Sequence, residues 1–369
     1  MLFFIAACLL SSFAIAFVAT AALRVLSPQW GLVDRPAARK VHTRPMPLGG
    51  GIGIWLGVVV PIASAQFIAW LLTRTGQPPD WIPLEVAQHL DGVLYRSSRM
   101  WAILAGGTIL SCTGLIDDLK NIRWQPRLAI QVLVACGLVA AGVRASVFVP
   151  YPWIGWGISV LWILVLINAF NFLDNMDGLS AGIALVASVI FSVIMMTSTS
   201  EPRWLVAGVL LVLSGALTGF LCHNWSPARI FMGDTGSYFI GLLMATMTIL
   251  GTFYDEQTAS RHVILAPLCI LAIPLYDFCS VLLIRLSQRR SPFQPDKSHF
   301  SHRLVEFGLR PSDAVLTIHL ATLTTGLGAL LLYEVPGWAG ALTVIALIMC
   351  VLAIIGILET VGRKNNGDE

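Results

Sequence analysis

Four groups of polar residues interrupt an otherwise apolar sequence, and their side chains are of the kinds that handle phosphate and hard metal ions. Asp117 and Asp118 are adjacent, and Asn168, Asn171, Asp174 and Asp177 recur at every third position. Asp234 stands within Phe231-Met232-Gly233-Asp234-Thr235-Gly236-Ser237, and His299, His302 and Arg303 share a short basic stretch. Five carboxylates brought together would repel, because like charges a few ångströms apart do not all ionise. A divalent cation relieves that repulsion. Oxygen ligands from Asp and Asn, without a close Cys or His pair, favour Mg2+ or Mn2+ over zinc. Mg2+ typically takes one or two carboxylates and leaves its other positions to water and substrate phosphates. Lys40, Arg127 and Arg303 supply complementary positive charge for phosphates. The chemistry implied is metal-assisted work on a phosphate.

Whether these residues meet depends on the elements that carry them. Of the 369 residues 56% are hydrophobic and only 12% charged, with a mean hydropathy of +0.79. A soluble domain carries about 25% charged residues, and the shortfall falls in uncharged blocks of roughly 17–25 residues, long enough to cross a hydrocarbon core. That excludes a soluble globular enzyme, a disordered chain and a disulfide-stapled secreted domain. The seven cysteines form no C-x-x-C pair, so buried thiols are expected rather than disulfides or zinc.

The expected fold is an all-α, polytopic membrane protein of about eleven spans. They cover 2–25, 49–72, 100–116, 128–143, 154–170, 179–196, 204–221, 238–253, 262–285, 314–332 and 338–358. The first is expected to be a retained helix, since it lacks the positive leading region of a signal peptide. With the N-terminus outside and the C-terminus cytoplasmic, all but Arg74, Arg96, Arg99, Arg144, Arg203 and Arg261 of the 23 basic residues fall on the inner side. Residues 1–369 then form one membrane domain, with a histidine-bearing basic loop at 286–313 and a cytoplasmic tail at 359–369. In this topology every polar cluster lies at the same, inner membrane face. No nucleic-acid partner is expected.

Each cluster alone also has a plain structural reading. Asp117-Asp118 could be a solvated interfacial turn, and Gly233 to Ser237 a helix start. A three-residue spacing drifts around an ideal helix by about 60° per step, so a helix is expected to end among Asn168 to Asp177, with Gly178 at the break. Asp277, in an apolar span with Pro267 and Pro274, is either a functional intramembrane carboxylate at a kink or one satisfied by a neighbouring helix.

The order of the motifs resembles one family, the polyprenyl-phosphate N-acetylhexosamine-1-phosphate transferases. Gly31 through Gly50, with Asp34, Pro36, Arg39, Lys40 and His42, is similar to its first inner loop. Gly114-Leu-Ile-Asp117-Asp118 with Arg127 and Gln131 resembles its aspartate pair. Asn168-Ala-Phe-Asn171-Phe-Leu-Asp174-Asn-Met-Asp177-Gly178, Phe231-Met-Gly-Asp234 and Asp296-Lys-Ser-His299-Phe-Ser-His302-Arg303 are similar to its remaining motifs. The resemblance covers nearly the whole chain.

What it implies is a Mg2+-dependent transfer of a sugar 1-phosphate from a UDP-N-acetylhexosamine to polyprenyl phosphate, releasing UMP, at the cytoplasmic face of the inner membrane. By resemblance, Asp117, Asp118 and Asp174 are catalytic, and Asp234 and Asn171 hold the metal. Lys40, Arg127, Asp177, Phe231, His299, His302 and Arg303 bind substrate, with Phe231 and Asp177 near the uracil and His302 and Arg303 on the pyrophosphate. Whether an aspartate acts as base or as nucleophile is left open. The resemblance further implies a homodimer and favours GlcNAc over a muramoyl-pentapeptide donor. Position 301 is Ser where relatives carry His, which leaves the identity of the sugar open. From a different class, an ion-coupled transporter using Asp277 is the alternative; its polar groups would sit nearer the midplane, in two related halves.

Overall fold

The computed structural model describes residues 1–35, 45–74, 97–145, 151–199, 202–251, 261–291 and 298–365, with side chains to residue 358. All eleven apolar segments are helical. They are α1 (Leu2–Leu26), α2 (Gly50–Arg74), α3 (Ser97–Lys120), α4 (Trp124–Ala140), α5 (Pro152–Leu173), α6 (Leu179–Thr197), α7 (Trp204–Asn224) and α8 (Asp234–Gly251), then α9 (Ala266–Ile270) with α10 (Ala272–Ser287), α12 (Pro311–Glu334) and α13 (Gly337–Asn365). The short helix α11 (Phe300–Glu306) lies between α10 and α12. Among the described residues, strand is confined to a two-residue antiparallel ladder, Val33 opposite Pro47 and Asp34 opposite Met46.

By length and composition eight of these helices can cross a membrane, or nine if the bent pair Arg261–Ile270 and Ala272–Ser287 is one span. The expected count of eleven exceeds this because α4 is a shorter apolar helix and α8 opens on polar residues, Asp234 to Ser237. The kink expected from Pro267 and Pro274 is present: the pair bends by 67° at Leu271. Exposed aromatics gather at the two ends of the bundle. Trp30, Trp124 and Trp225 stand at one end, and Trp70, Trp101, Trp153 and Trp338 at the other, as in proteins whose rings rest at the two membrane–water interfaces. The seven cysteines are unpaired. Only Cys269 is buried; Cys112, Cys136, Cys222, Cys279 and Cys350 are exposed on their helices, because an apolar solvent lets a thiol face outward.

Without water, backbone groups must be satisfied inside the fold, and α2 shows how. Pro61 lacks an N–H, so the carbonyl of Gly57, four residues earlier, loses its helical donor. The buried Ser12 hydroxyl of α1 lies 2.6 Å from that oxygen and 2.5 Å from the Val212 carbonyl of α7, tying three helices together. At its start, α2 donates the Gly50 and Gly51 amides to the Phe231 and Met232 carbonyls, 3.0 Å each, in the loop before α8.

Helix α8 is buried along almost its whole length, against α2, α3 and α5. Its first turn is reached by backbone-to-backbone approach. A Cβ on Gly51 would strike the Gly236 backbone, and one on Gly114 of α3 would strike Asp234 and Thr235. These glycines set how closely α2 and α3 approach Asp234, which the family resemblance makes a metal ligand. Gly114→Ala should therefore lower stability by about 1–3 kcal/mol, the range for overpacking, whereas Gly137→Ala in α4, where no atom lies within 4 Å, should not. Thermal unfolding of the two variants in detergent checks this, and equal behaviour would contradict the packing.

Candidate active site

At the end of the bundle carrying Trp30, Trp124 and Trp225, the predicted residues converge. Arg127, the fourth residue of α4, lies between two carboxylates from different helices. Its Nη1 bonds Asp117 Oδ2 at the end of α3, and it lies 3.2 Å from Asp234 Oδ2 and 3.3 Å from the Tyr238 hydroxyl of α8. Tyr238 in turn donates to Asp234 Oδ2 at 3.1 Å. Asn171, at the end of α5, directs its amide NH2 to Asp234 Oδ1 (2.8 Å) and Ser237 Oγ (3.0 Å), which leaves its carbonyl oxygen for another partner.

The adjacent aspartates serve different partners. Asp117 is buried and accepts the Ile122 amide at 2.6 Å in addition to Arg127. Asp118 accepts the Asp234 and Thr235 amides (3.0 and 3.3 Å) and the Thr235 hydroxyl (3.0 Å), so it caps the N-terminus of α8 from a different helix. Gly233, in the left-handed region at φ +73°, makes room for this: a Cβ there would collide with the Asp118 carboxylate. The segment Gly233 to Ser237 does open a helix, and its cap is supplied from α3 by Asp118.

Helix α5 ends where expected. Asp174 follows its last residue, and Gly178, at φ +71°, opens α6. Asp177 Oδ2 accepts the Ala228 amide at 2.9 Å. Asn224 at the end of α7 accepts the Gly178 amide and donates to the Ile230 carbonyl, 2.9 Å each, and so joins this loop to the one bearing Phe231. Asn168 is turned away, to Gln131 at 2.8 Å. Burial first, then the Asp118 charge, pushes Asp174 up to about 7; the Gly233 amide pulls it down and Asp177 adds a smaller push.

The histidine stretch lies alongside. His299 meets Phe172 edge to face with centroids 5.5 Å apart, and His302 is 6.4 Å from His299. The variant position Ser301 is 1% exposed and donates to Asn175 at 2.7 Å, between Asp174 and Asp177. Arg303 donates to Ser280 at 2.9 Å. Asp277, which the sequence left with two readings, accepts both His299 Nδ1 (3.0 Å) and the Phe300 amide (2.6 Å). Lys40, and with it Arg39, His42, Asp296 and Lys297, lies outside the described residues.

Sequence reasoning missed Asn224, Tyr238, Thr235 and Asn175. The last three adjoin a predicted residue or lie one helical turn from it, but Asn224 ends an apolar helix with no motif around it. Among the described residues, no three Asp, Glu, His or Cys side chains are arranged to hold a metal by themselves. The donors do fit Mg2+, which takes few protein oxygens. Asp234 and the Asn171 carbonyl are hard ligands, and Asp117, Asp118, Asp174 and Asp234 bring more negative charge than Arg127 offsets.

The fold and site define a multi-pass helical membrane protein with a carboxylate–guanidinium centre at one end of its bundle. Residues 100–252, from α3 through α8, match glycosyl transferase family 4. The chain is 30% identical over 342 residues to a Bacillus subtilis protein named "Probable undecaprenyl-phosphate N-acetylglucosaminyl 1-phosphate transferase", covering 90% of this chain and 86% of the relative. It is 31% identical over 363 residues to the decaprenyl-phosphate N-acetylglucosaminephosphotransferase of Mycolicibacterium smegmatis (92% and 84%). It is 28% identical over 333 residues to the undecaprenyl-phosphate alpha-N-acetylglucosaminyl 1-phosphate transferase of Escherichia coli K12 (85% and 81%). The chain belongs to the polyprenyl-phosphate N-acetylhexosamine-1-phosphate transferase family.

The burial of Asp174, with the Asp118 charge beside it, gives a pH signature. With Asp174 at about 7 in the fold and 3.8 as an ordinary aspartate, the folded state binds the extra proton, so this group lowers stability as pH rises between those values. Asp174→Asn should unfold at a higher temperature than wild type above about pH 7 in EDTA, and the gain should vanish toward about pH 4. A gain independent of pH would refute the upward shift of Asp174.

Proposed function

We propose that this protein transfers an N-acetylhexosamine 1-phosphate, GlcNAc 1-phosphate in the first instance, from its UDP-sugar to a polyprenyl phosphate. A lipid phosphate oxygen forms a bond to the sugar-bearing phosphorus, the bridge to the second phosphorus breaks, and UMP leaves. The observation that carries the reading is the meeting of Asp117, Arg127, Asn171 and Asp234 in one hydrogen-bonded group, in a chain whose relatives are named for this transfer to undecaprenyl or decaprenyl phosphate.

Two phosphates approach each other in this reaction against like charge. Fixed cations and hydrogen-bond donors at the site oppose that repulsion without having to reorganise, and Arg127, Arg303 and His302 take that part. Asp234 and Asn171 would hold Mg2+, which supplies Lewis-acid charge neutralisation on the diphosphate. Asp118 keeps Asp234 in place, and Asp117 faces the reacting phosphates beside Arg127. Asp174, poised near neutrality, is the carboxylate suited to take a proton from the lipid phosphate. Phe231 and Asp177 flank the uracil, and Lys40 adds charge to the diphosphate.

The full reading has eleven crossings, N-terminus outside, the site at the cytoplasmic face of the inner membrane, and a homodimer. The burial of Asp277 against His299 counts against an ion path through the broken span.

Purified protein with undecaprenyl phosphate, Mg2+ and a panel of UDP-N-acetylhexosamines should release UMP with one donor. EDTA or Asp234→Asn should reduce release by at least about a hundredfold, in the range of losing a principal electrostatic group. Undiminished release in Asp234→Asn would refute the metal assignment, and no release across the panel from folded protein would refute the reading.

A further inference from the structure

Asp277 is 0% exposed, six residues into α10 and beyond the 67° break. Burying a carboxylate among apolar helices is costly unless both oxygens find partners. The partners it has are the N-cap and the first residue of α11: Oδ2 meets His299 Nδ1 at 3.0 Å and Oδ1 accepts the Phe300 amide at 2.6 Å. One turn further along α10, Ser280 takes the Arg303 guanidinium at 2.9 Å. Helix α11 has seven residues, too few to hold itself together in isolation, so α10 grips it at two points.

Capping alone would not require a charge, since Ser, Thr or Asn caps a helix as well as Asp. A carboxylate does something further to an imidazole. As an acceptor only, it requires that Nδ1 carry the proton, which leaves Nε2, across the ring, to accept a hydrogen bond or, once protonated, to donate one. The ring is held against turning by Phe172, edge-on at 5.5 Å, itself packed on Phe278 at 5.5 Å and under the Arg285 guanidinium at 5.0 Å.

We propose that Asp277 is a positioning residue of the transfer site, acting through His299: it fixes which imidazole nitrogen bears the proton and seats the helix that presents His302 and Arg303. This rests on the transferase reading, in which His299, His302 and Arg303 bind substrate, His302 and Arg303 at the diphosphate. Asp277 is the intramembrane support of that contact and not a reacting group.

Asp277→Asn tests it. Asn keeps the shape, and its carbonyl can still accept the Phe300 amide. Its NH2 then faces Nδ1 and drives the proton to Nε2. The expected result is a fall in kcat of about ten- to hundredfold, as for the loss of a residue that orients a ligand group, with the UDP-sugar KM changed much less. In the background of His299→Gln, adding Asp277→Asn should cost little more, because the two act as a unit. Nitrogen NMR of histidine-labelled protein, with the His299 signal assigned by its loss in His299→Gln, should show a protonated Nδ1 in wild type; this readout needs neither activity nor a folded Asp277 variant. Wild-type kcat in Asp277→Asn, fully additive losses in the double variant, or an unprotonated Nδ1 in wild type would each overturn the assignment while UMP release by wild type upholds the transferase reading. Silent wild-type protein would overturn that reading, and this inference with it.

Discussion

Arg127 is the residue on which the arrangement of the site depends. Its guanidinium bridges Asp117 of α3 and Asp234 of α8, and α8 is the buried axis around which α2, α3 and α5 pack. Without a cation between them these carboxylates would push α3 and α8 apart, because partly buried charges are screened less than exposed ones. Arg suits the position better than Lys because its planar fork reaches several oxygens at once and it keeps its charge when partly buried. The guanidinium therefore has two consequences: it lets three helices converge on one point, and it leaves positive charge where phosphates are expected.

Around that centre the loops are held by side chains from distant parts of the chain. Asp118 caps a helix that begins more than a hundred residues later, Asn224 joins two loops, and Asp277 seats α11. Each supplies a partner to a backbone amide at a place where a helix starts or stops, where such groups have no intrahelical partner. In water those amides could be left to solvent. At the end of a membrane bundle they need fixed acceptors, and the same acceptors fix the positions of Asp234, Asp174 and His299.

The helices were legible because a long uncharged run has few alternatives to a membrane helix, and the end of α5 was legible from a spacing no helix could turn into one stripe. The gathering of the polar clusters at one end followed from counting crossings and basic residues. The pairings were not legible. That Asp118 would hold α8 while Asp117 took Arg127 depends on which way two adjacent side chains leave α3, which one chain's sequence does not encode locally. Asp277 had two readings for the same reason: a carboxylate in an apolar run looks alike whether it faces a cavity or a neighbour, and its neighbour lay 22 residues on. Pro61 announced a gap in α2 but not that Ser12 would fill it. By composition α8 fell short of a span because its first turn, Asp234 to Ser237, carries polar residues of the site.

The exposed aromatic rings mark two levels along the bundle, and such rings rest at membrane–water interfaces. Trp124 opens the same helix as Arg127, and Trp225 follows the Asn224 that braces the loops, so the carboxylate–guanidinium centre lies level with one ring of aromatics, residues that in membrane proteins sit at headgroup depth. A lipid phosphate already resides in that plane. In the proposed reaction the acceptor is therefore sought in two dimensions and the donor in three: the lipid drifts sideways into a site at its own height, with its tail never leaving the leaflet, while the nucleotide sugar arrives from the water above.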